Sequence, residues 1–273
     1  MQSQTMRRGL LAIGSIGLAL FLYQGVARPM LASIVTLPSL PGGISALTLL
    51  VMVFSFTHAV VALGWRHSLI FFALSAVISW TFEQVGVATG AVYGPYHYTD
   101  QLGPKLGHVP LLIPIAWFMM IYPSYIIANL IADGQPTGSR GGLGRILSVA
   151  FLSAMVMTAW DLVVDPLLSK AAMTAWIWEQ GGPYYGVPVQ NFFGWMLTTF
   201  TVYTVYRLYE SKVKPRPIGS LSRTLAALPL IAYGGLMIAD GIGNVEGMAV
   251  IAPFVMGLPI VAAALRLPVR PTS

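Results

Sequence analysis

Apolar runs of about 20 residues recur along the entire chain, and they limit the possible folds more than any other feature of the sequence. A helix needs about 20 mostly apolar residues to cross a bilayer. Because the lipid interior offers the backbone no hydrogen-bond partners, such runs cross as helices. Only 9% of the residues are charged, against about a quarter in an ordinary soluble domain. The sequence therefore predicts an all-α, polytopic bundle that forms a single integral-membrane domain over residues 1–273, with about eight spans at 9–27, 44–63, 66–87, 110–132, 145–164, 189–209, 224–240 and 247–265.

The basic residues are distributed by loop rather than gathered on one soluble face. With the N-terminus inside, 12 of the 15 Lys and Arg residues fall on the inner side, including those of a basic linker at 210–223. Only Arg28, Lys105 and Lys170 fall on the outer side, which follows the positive-inside rule. The net charge of +6 therefore reflects topology and not nucleic-acid binding, and we expect both termini on the cytoplasmic side of a prokaryotic cell membrane. Arg7-Arg8 before the first apolar run also fits a signal peptide, but seven further spans favour a retained first helix.

Cysteine is absent, which excludes disulfides, thiolate catalysis and cysteine-based metal or iron–sulfur sites. The four histidines, His58, His67, His97 and His108, are never three or four residues apart, so the helical two-histidine metal motif is missing. His97 and His108 fall on the outer side, where they could meet a carboxylate, join a mixed metal site, or serve only as hydrogen-bonding loop residues. We predict no metal and no organic cofactor.

Two outer connections, 88–109 and 165–188, are each about twenty residues long. Loops of that length are usually functional or disordered. Their many Trp and Tyr residues argue against disorder. We therefore expect the two loops to form a lid over a site in the outer leaflet.

Acidic residues occur inside or just beyond three of the predicted spans, at Glu83, Asp161, Asp165 and Asp240. Each costs about 2.5–3.5 kcal/mol at membrane depth on insertion scales, which indicates a function. Asp161 and Asp165 are four residues apart and share a helix face, where two poorly hydrated carboxylates cannot both ionise easily. Asp165 could also simply end its helix before Pro166, Glu83 could be a buried hydrogen-bond partner, and Asp240 is interpreted as a helix end. The candidate catalytic residues are Asp161, Asp165 and Glu83.

Aromatic side chains are dense on the same outer side. An interfacial belt explains some of them. An apolar, π-rich cavity explains the rest, and ring faces can stabilise a cation that forms within it. The candidate substrate-binding residues are Tyr93, Tyr96, His97, Tyr98, His108, Trp117, Trp176, Trp178, Tyr184, Tyr185, Asn191 and Trp195.

Several blocks of the sequence resemble the integral-membrane carotenoid biosynthesis proteins that include the carotenoid 1',2'-hydratases. They occur in the family's order within residues 80–207, and the spans before and after carry little of the likeness. The blocks are GAVYGPYHY, LGPKLGHVPLLIPIAWFMMIYPSY, WDLVVDP, WIWEQGGPYYGVPVQNFFGW and the pair YR at 206–207. The resemblance implies a membrane-embedded carotenoid substrate, such as gamma-carotene, lycopene or a C50 relative.

The resemblance also implies a reaction, the addition of water across the terminal double bond of an acyclic carotenoid end. We expect Asp161 to donate the proton, with Asp165 and Glu83 tuning it or ordering water, and no metal, flavin or nicotinamide to take part. A non-catalytic carotenoid- or lipid-binding or assembly protein remains an alternative, as does an enzyme that modifies carotenoid ends in another way. A transporter would need polar groups on a path to both faces, and an oxygenase would need redox ligands that the sequence lacks.

Overall fold

The computed structural model describes residues 2–170, 174–214, 221–241 and 245–267. Residues 171–173 of the predicted loop 165–188 and 215–220 of the basic linker lie outside the described residues, as does Arg270, one of the inner basic residues. Most of the described chain is helical. The helices are α1 (Gln2–Phe21), α2 (Arg28–Leu31), α3 (Gly43–Leu63), α4 (Trp65–Thr89), α5 (Leu112–Asp133), α6 (Leu143–Leu168), α7 (Val189–Lys212), α8 (Arg223–Gly241), α9 (Met248–Ala252) and α10 (Leu258–Ala264).

Two π-helical stretches join the short helices into longer ones. Leu22–Ala27 connects α1 to α2, and Pro253–Gly257 connects α9 to α10, so each predicted span corresponds to one helical segment. In the described part of the chain, six segments are long and apolar enough to cross a membrane: Gln4–Leu31, Gly43–Leu63, Trp65–Thr89, Leu112–Asp133, Leu143–Leu168 and Arg223–Gly241. The other two are α7, which is 24 residues long and includes charged side chains, and the shorter apolar segment Met248–Ala264. The predicted all-α polytopic bundle is confirmed.

Helix α6 continues past the position where the sequence suggested an end. Asp165 and Pro166 both lie inside it, so the interpretation of Asp165 as a helix terminus is wrong. Proline lacks the N–H that would bond to the carbonyl four residues earlier. That carbonyl, on Leu162, accepts a hydrogen bond from the Tyr184 hydroxyl at 3.0 Å instead. The helix therefore tolerates the proline because a loop side chain satisfies the freed acceptor.

The two long loops meet in a small antiparallel sheet at one end of the bundle, which we call the cap sheet. Its strands are β1 (Tyr96–Tyr98) and β4 (Trp176–Trp178), with Tyr96 opposite Trp178 and Tyr98 opposite Trp176. Because side chains alternate along a strand, the tyrosines of β1 share one face and the tryptophans of β4 share one face. Separately, β2 (Lys105–Leu106) and β3 (Val109–Pro110) form a short hairpin that leads into α5.

Tyr93 anchors the first loop between α4 and α7. Its ring is buried, and its hydroxyl lies 2.8 Å from Oγ1 of Thr198. The ring fits because Gly86 and Gly194 have no side chains: a Cβ there would lie 2.6 Å and 2.5 Å from ring carbons. These two glycines allow the loop to pack directly over the helix ends.

Candidate active site

A cavity of about 130 Å³ lies between the cap sheet and the helices. An apolar cavity of about 150 Å³ can hold benzene, so this space is suited to one branched end of a hydrocarbon chain and not to a whole carotenoid. Its walls are mainly apolar and come from every long helix. The residues that line it are Phe21, Ile44, Leu47, Thr48, Glu83, Tyr93, Tyr96, Tyr98, Leu102, Leu112, Ile113, Ala116, Trp117, Met119, Trp160, Val164, Asp165, Leu168, Trp176, Trp178, Asn191, Trp195, Leu236, Ala239 and Asp240.

Glu83, from α4, is the acidic group held by strand β1. Its Oε2 atom accepts hydrogen bonds from the hydroxyls of Tyr96 and Tyr98, the second at 2.8 Å. Its Oε1 atom accepts one from Nε1 of Trp117 at 3.1 Å. Burial and the nearby charge of Glu83 raise the pKa of both tyrosines well above the usual value, so both hydroxyls keep their protons. Three donors therefore surround a glutamate that is only 4% exposed.

Asp165, from α6, is held in the same way by strand β4. Its Oδ1 atom accepts hydrogen bonds from Nε1 of Trp176 at 2.8 Å and from Nε1 of Trp178 at 3.0 Å. Its Oδ2 atom accepts one from Nδ2 of Asn191, on α7, at 2.7 Å. Each strand of the cap sheet thus supplies two donors to one carboxyl group. The alternation of side chains along the strands produces this pairing, because residues two apart point in the same direction.

Asp161 lies one turn deeper in α6 and is fully buried. Its Oδ2 atom accepts a hydrogen bond from Nδ2 of Asn191 at 2.8 Å, so one amide nitrogen connects Asp161 to Asp165. None of the described residues donates a hydrogen bond to its Oδ1 atom. Asp161 does not line the cavity. A proton donor must reach the reacting carbon, so the position of Asp161 does not suit the role expected from the sequence.

Asp240, from α8, lines the same cavity although the sequence suggested only a helix end. The helix-end interpretation stays a prediction, because residues 242–244, which follow Gly241, lie outside the described residues. The Oδ2 atom of Asp240 accepts a hydrogen bond from Nε1 of Trp160 at 2.8 Å. Its position inside a span was the available signal, and the glycine-rich stretch that follows it obscured that signal.

Tryptophan rings form part of the cavity wall. Trp117 and Trp195 stack with their ring centres 4.1 Å apart, and Trp160 meets Trp195 edge-on at 5.9 Å. The negative face of an indole attracts a cation. This wall could therefore stabilise a carbocation that forms in the cavity.

The two histidines predicted to bind substrate lie away from the cavity. His97 occupies the middle of β1, so its side chain points away from the tyrosines on either side; it is 52% exposed and lies 3.4 Å from Oε1 of Glu179. His108 is exposed, and its backbone N–H donates to Oε1 of Gln84 at 3.1 Å. Neither prediction agrees with the cavity lining, because strand alternation and the β2–β3 turn direct these rings outward. Within the described ranges, no three His, Asp or Glu side chains come together as a metal-ligand group.

Two predicted tyrosines also lie outside the cavity lining. Tyr184 donates to the Leu162 carbonyl, and burial raises its pKa to about 12, so it remains a donor. Tyr185 adopts a left-handed backbone conformation with φ of 53°, and its ring lies 5.4 Å from Nζ of Lys170. Both residues belong to the packing of the loop. The other eight candidate substrate-binding residues line the cavity, as do the catalytic candidates Glu83 and Asp165.

Comparison with known proteins identifies the family. A model of the family described as carotenoid biosynthesis protein matches residues 43–264, a wider stretch than the blocks at 80–207. The chain is 35% identical over 121 residues to a bisanhydrobacterioruberin hydratase of Haloarcula japonica. That match covers 44% of this chain and 38% of the relative. No solved structure matches the chain significantly. The chain belongs to the carotenoid biosynthesis protein family and is an integral membrane protein.

Proposed function

We propose that the protein is a carotenoid hydratase, a hydro-lyase that adds water across the terminal 1',2' double bond of an acyclic carotenoid end. The observation that carries the proposal is the cavity itself: two carboxyl groups, each held by three donors, line an apolar space of about 130 Å³. Water and a hydrocarbon end can meet there. The relative named as a hydratase supports the same reaction class.

The reaction requires a proton donor, an ordered water molecule and protection of a cation. Protonation of the less substituted alkene carbon leaves a tertiary cation on its neighbour. Water then adds to the cation and releases a proton, giving a tertiary alcohol. The stacked rings of Trp117 and Trp195 supply the π faces that stabilise the cation.

Glu83 and Asp165 are suited to binding the water and orienting it. An ionised carboxylate has about four lone-pair sites for hydrogen bonds. Each of these residues uses three of them, so each retains one for a water molecule in the cavity. The donors also orient both groups without any movement at the moment of reaction, which is the arrangement that favours electrostatic catalysis.

Asp161 has a positioning role in this proposal. It contacts Asn191, and Asn191 contacts Asp165, so Asp161 influences the reaction through an intervening amide. The cap sheet acts as the lid. We place the cap on the outer side of the membrane and both termini on the cytoplasmic side, as the distribution of basic residues predicts.

The substrate is proposed to be a membrane-embedded carotenoid with at least one acyclic end, such as gamma-carotene, lycopene or a C50 relative. A carotenoid is about as long as a bilayer is thick, so it would remain in the lipid and insert one end. The apolar side chains of Ile44, Leu47 and Leu236 in the wall are compatible with such an end.

Labelled water tests the proposal. Membranes that contain the protein should convert an acyclic-ended carotenoid without air or added reductant. The product should be heavier by one water molecule, and ¹⁸O-labelled water should place its oxygen in the new hydroxyl group. A product heavier by one oxygen atom, or one that forms only in air, would point to an oxygenase. Tight retention of carotenoid with no product would favour the binding-protein alternative.

A further inference from the structure

We propose that Asp240 donates the proton in this reaction, an inference that rests on the proposed hydratase function. The starting observation is a difference among the three acidic residues that line the cavity. Glu83 and Asp165 each accept three hydrogen bonds, whereas Asp240 accepts one among the described residues. A proton donor needs an oxygen atom that is free to carry a proton toward the substrate.

Asp165 has no such oxygen. Both tryptophans that contact its Oδ1 atom present indole N–H groups, and Asn191 presents its amide nitrogen to Oδ2. An indole N–H can only donate. A proton on Oδ1 would therefore weaken the hydrogen bonds from the two indole N–H groups. A proton on Oδ2 would weaken the hydrogen bond from the amide of Asn191.

Glu83 is limited in a similar way. Its Oε1 atom faces the N–H of Trp117, which again can only donate. A proton on Oε2 would compete with the hydrogen bonds that this atom accepts from the hydroxyl groups of Tyr96 and Tyr98. Both residues are consequently acceptors in the geometry observed, which matches the water-binding role proposed above.

Asp240 has the complementary geometry. The N–H of Trp160 donates a hydrogen bond to Oδ2, so Oδ2 is the acceptor oxygen. None of the described residues donates a hydrogen bond to Oδ1. Oδ1 is therefore the atom that can carry the proton. The side chain is half-buried and lines a cavity whose wall also includes the apolar Leu236 and Phe21, so an alkene bound there can reach it.

The complete cycle balances. The Oδ1–H bond of Asp240 breaks as a C–H bond forms on the less substituted alkene carbon, and the electron pair comes from the π bond. Water, held by a hydrogen bond to Glu83 or Asp165, forms the C–O bond to the tertiary cation and then gives up one proton. That proton returns to Asp240 through water in the cavity before the next turnover. One water molecule is consumed, and no oxidant or reductant is needed.

The decisive variant is Asp240→Asn. The asparagine carbonyl can still accept from Trp160, so folding should be preserved while the transferable proton is lost. General acid catalysis is typically worth about 10²–10⁴-fold, so hydration should slow by at least about 10²-fold. Retention of lycopene by the purified protein should be unchanged. Asp240→Glu, which keeps the acid, should recover part of the rate, an outcome that a purely structural role would not produce.

Controls separate this inference from the proposed function. Asp100→Asn makes the same chemical change at a fully exposed side chain in the loop after β1 and should keep the wild-type rate. If the wild-type protein forms no hydrated product, the proposed function fails and the donor assignment fails with it. If the wild type hydrates lycopene and folded Asp240→Asn does so at a similar rate, only the assignment of Asp240 is overturned. Should Asp240→Asn not fold, Asp240→Ala with added formate replaces it: rescue by formate supports the assignment, and wild-type turnover without formate refutes it.

Discussion

Replacing each of the two neighbouring aspartates of α6 by asparagine should have very different effects, although the two changes are chemically identical. Asp165 accepts hydrogen bonds on both oxygens, from two indoles and from Asn191. In Asp165→Asn the new carbonyl can still accept the hydrogen bonds of the two tryptophans. The new NH₂ group then faces the NH₂ group of Asn191. At least one hydrogen bond to a charged group is lost, which costs about 1.5–3 kcal/mol.

Asn191 cannot relieve this conflict by rotating its amide. Rotation would bring its carbonyl oxygen against Oδ2 of Asp161, which now receives the amide N–H at 2.8 Å. The Asp161→Asn change has no such conflict. Its carbonyl can take the place of Oδ2, and its NH₂ group takes the place of Oδ1, which has no hydrogen-bond partner among the described residues. The loss in stability should therefore be less than about 1 kcal/mol, the net worth of one ordinary hydrogen bond.

Thermal unfolding in detergent measures the difference. At roughly 2–4 °C per kcal/mol, Asp165→Asn should lower the apparent Tm by about 3–12 °C, and Asp161→Asn by much less. The rate of hydration should also fall more in Asp165→Asn than in Asp161→Asn, since of these two aspartates only Asp165 lines the cavity. The exposed Asp100→Asn change controls for the loss of one charge. Equal Tm losses for the two α6 variants, or a larger loss for Asp161→Asn, would refute the reasoning from the Asn191 bridge.

Three further results are expected. Gly194→Ala should destabilise the protein by about 1–3 kcal/mol, because the added Cβ would overlap the buried ring of Tyr93. Gly9→Ala is the control and should be tolerated, since a Cβ there meets nothing within 4 Å. Equal thermal stability of the two variants would contradict this packing. His97→Ala should leave the rate of hydration within about twofold, since the exposed ring points away from the cavity, and a large loss of rate would restore His97 to the site. Reporter fusions at Gln135 should read cytoplasmic and a fusion at Gln101 should not, and a cytoplasmic signal at Gln101 in correctly inserted protein would reverse the proposed orientation.

Much of the architecture could be predicted because membrane helices obey local rules. The predicted span 44–63 and the observed helix Gly43–Leu63 differ by one residue, and 66–87 became Trp65–Thr89. Apolar length alone sets such boundaries in lipid. The end of α6 was missed because the Tyr184 hydroxyl, a contact from beyond the helix, satisfies the carbonyl that Pro166 leaves free.

The site was predicted in composition more than in arrangement. Glu83 and Asp165 could be selected because ionisable groups at membrane depth are costly and rare. Asp161 and Asp165 could be assigned to one helix face from their spacing, and both contact Asn191. The spacing could not show which of the two reaches the cavity, because that depends on how α6 is rotated against α7 and the cap.

The class of the fold, the long loops and the types of side chain available for chemistry can be predicted from the chain alone, because apolar length and residue type act locally. Which side chains meet depends on tertiary packing. The pairing of β1 with β4 joins residues about eighty positions apart and brings Tyr96 and Tyr98 to Glu83, and Trp176 and Trp178 to Asp165. It also turns His97 outward and brings Asp240, from α8, to the same cavity. These outcomes depend on strand register and helix rotation, which arise from packing between distant segments and leave no local pattern in the chain.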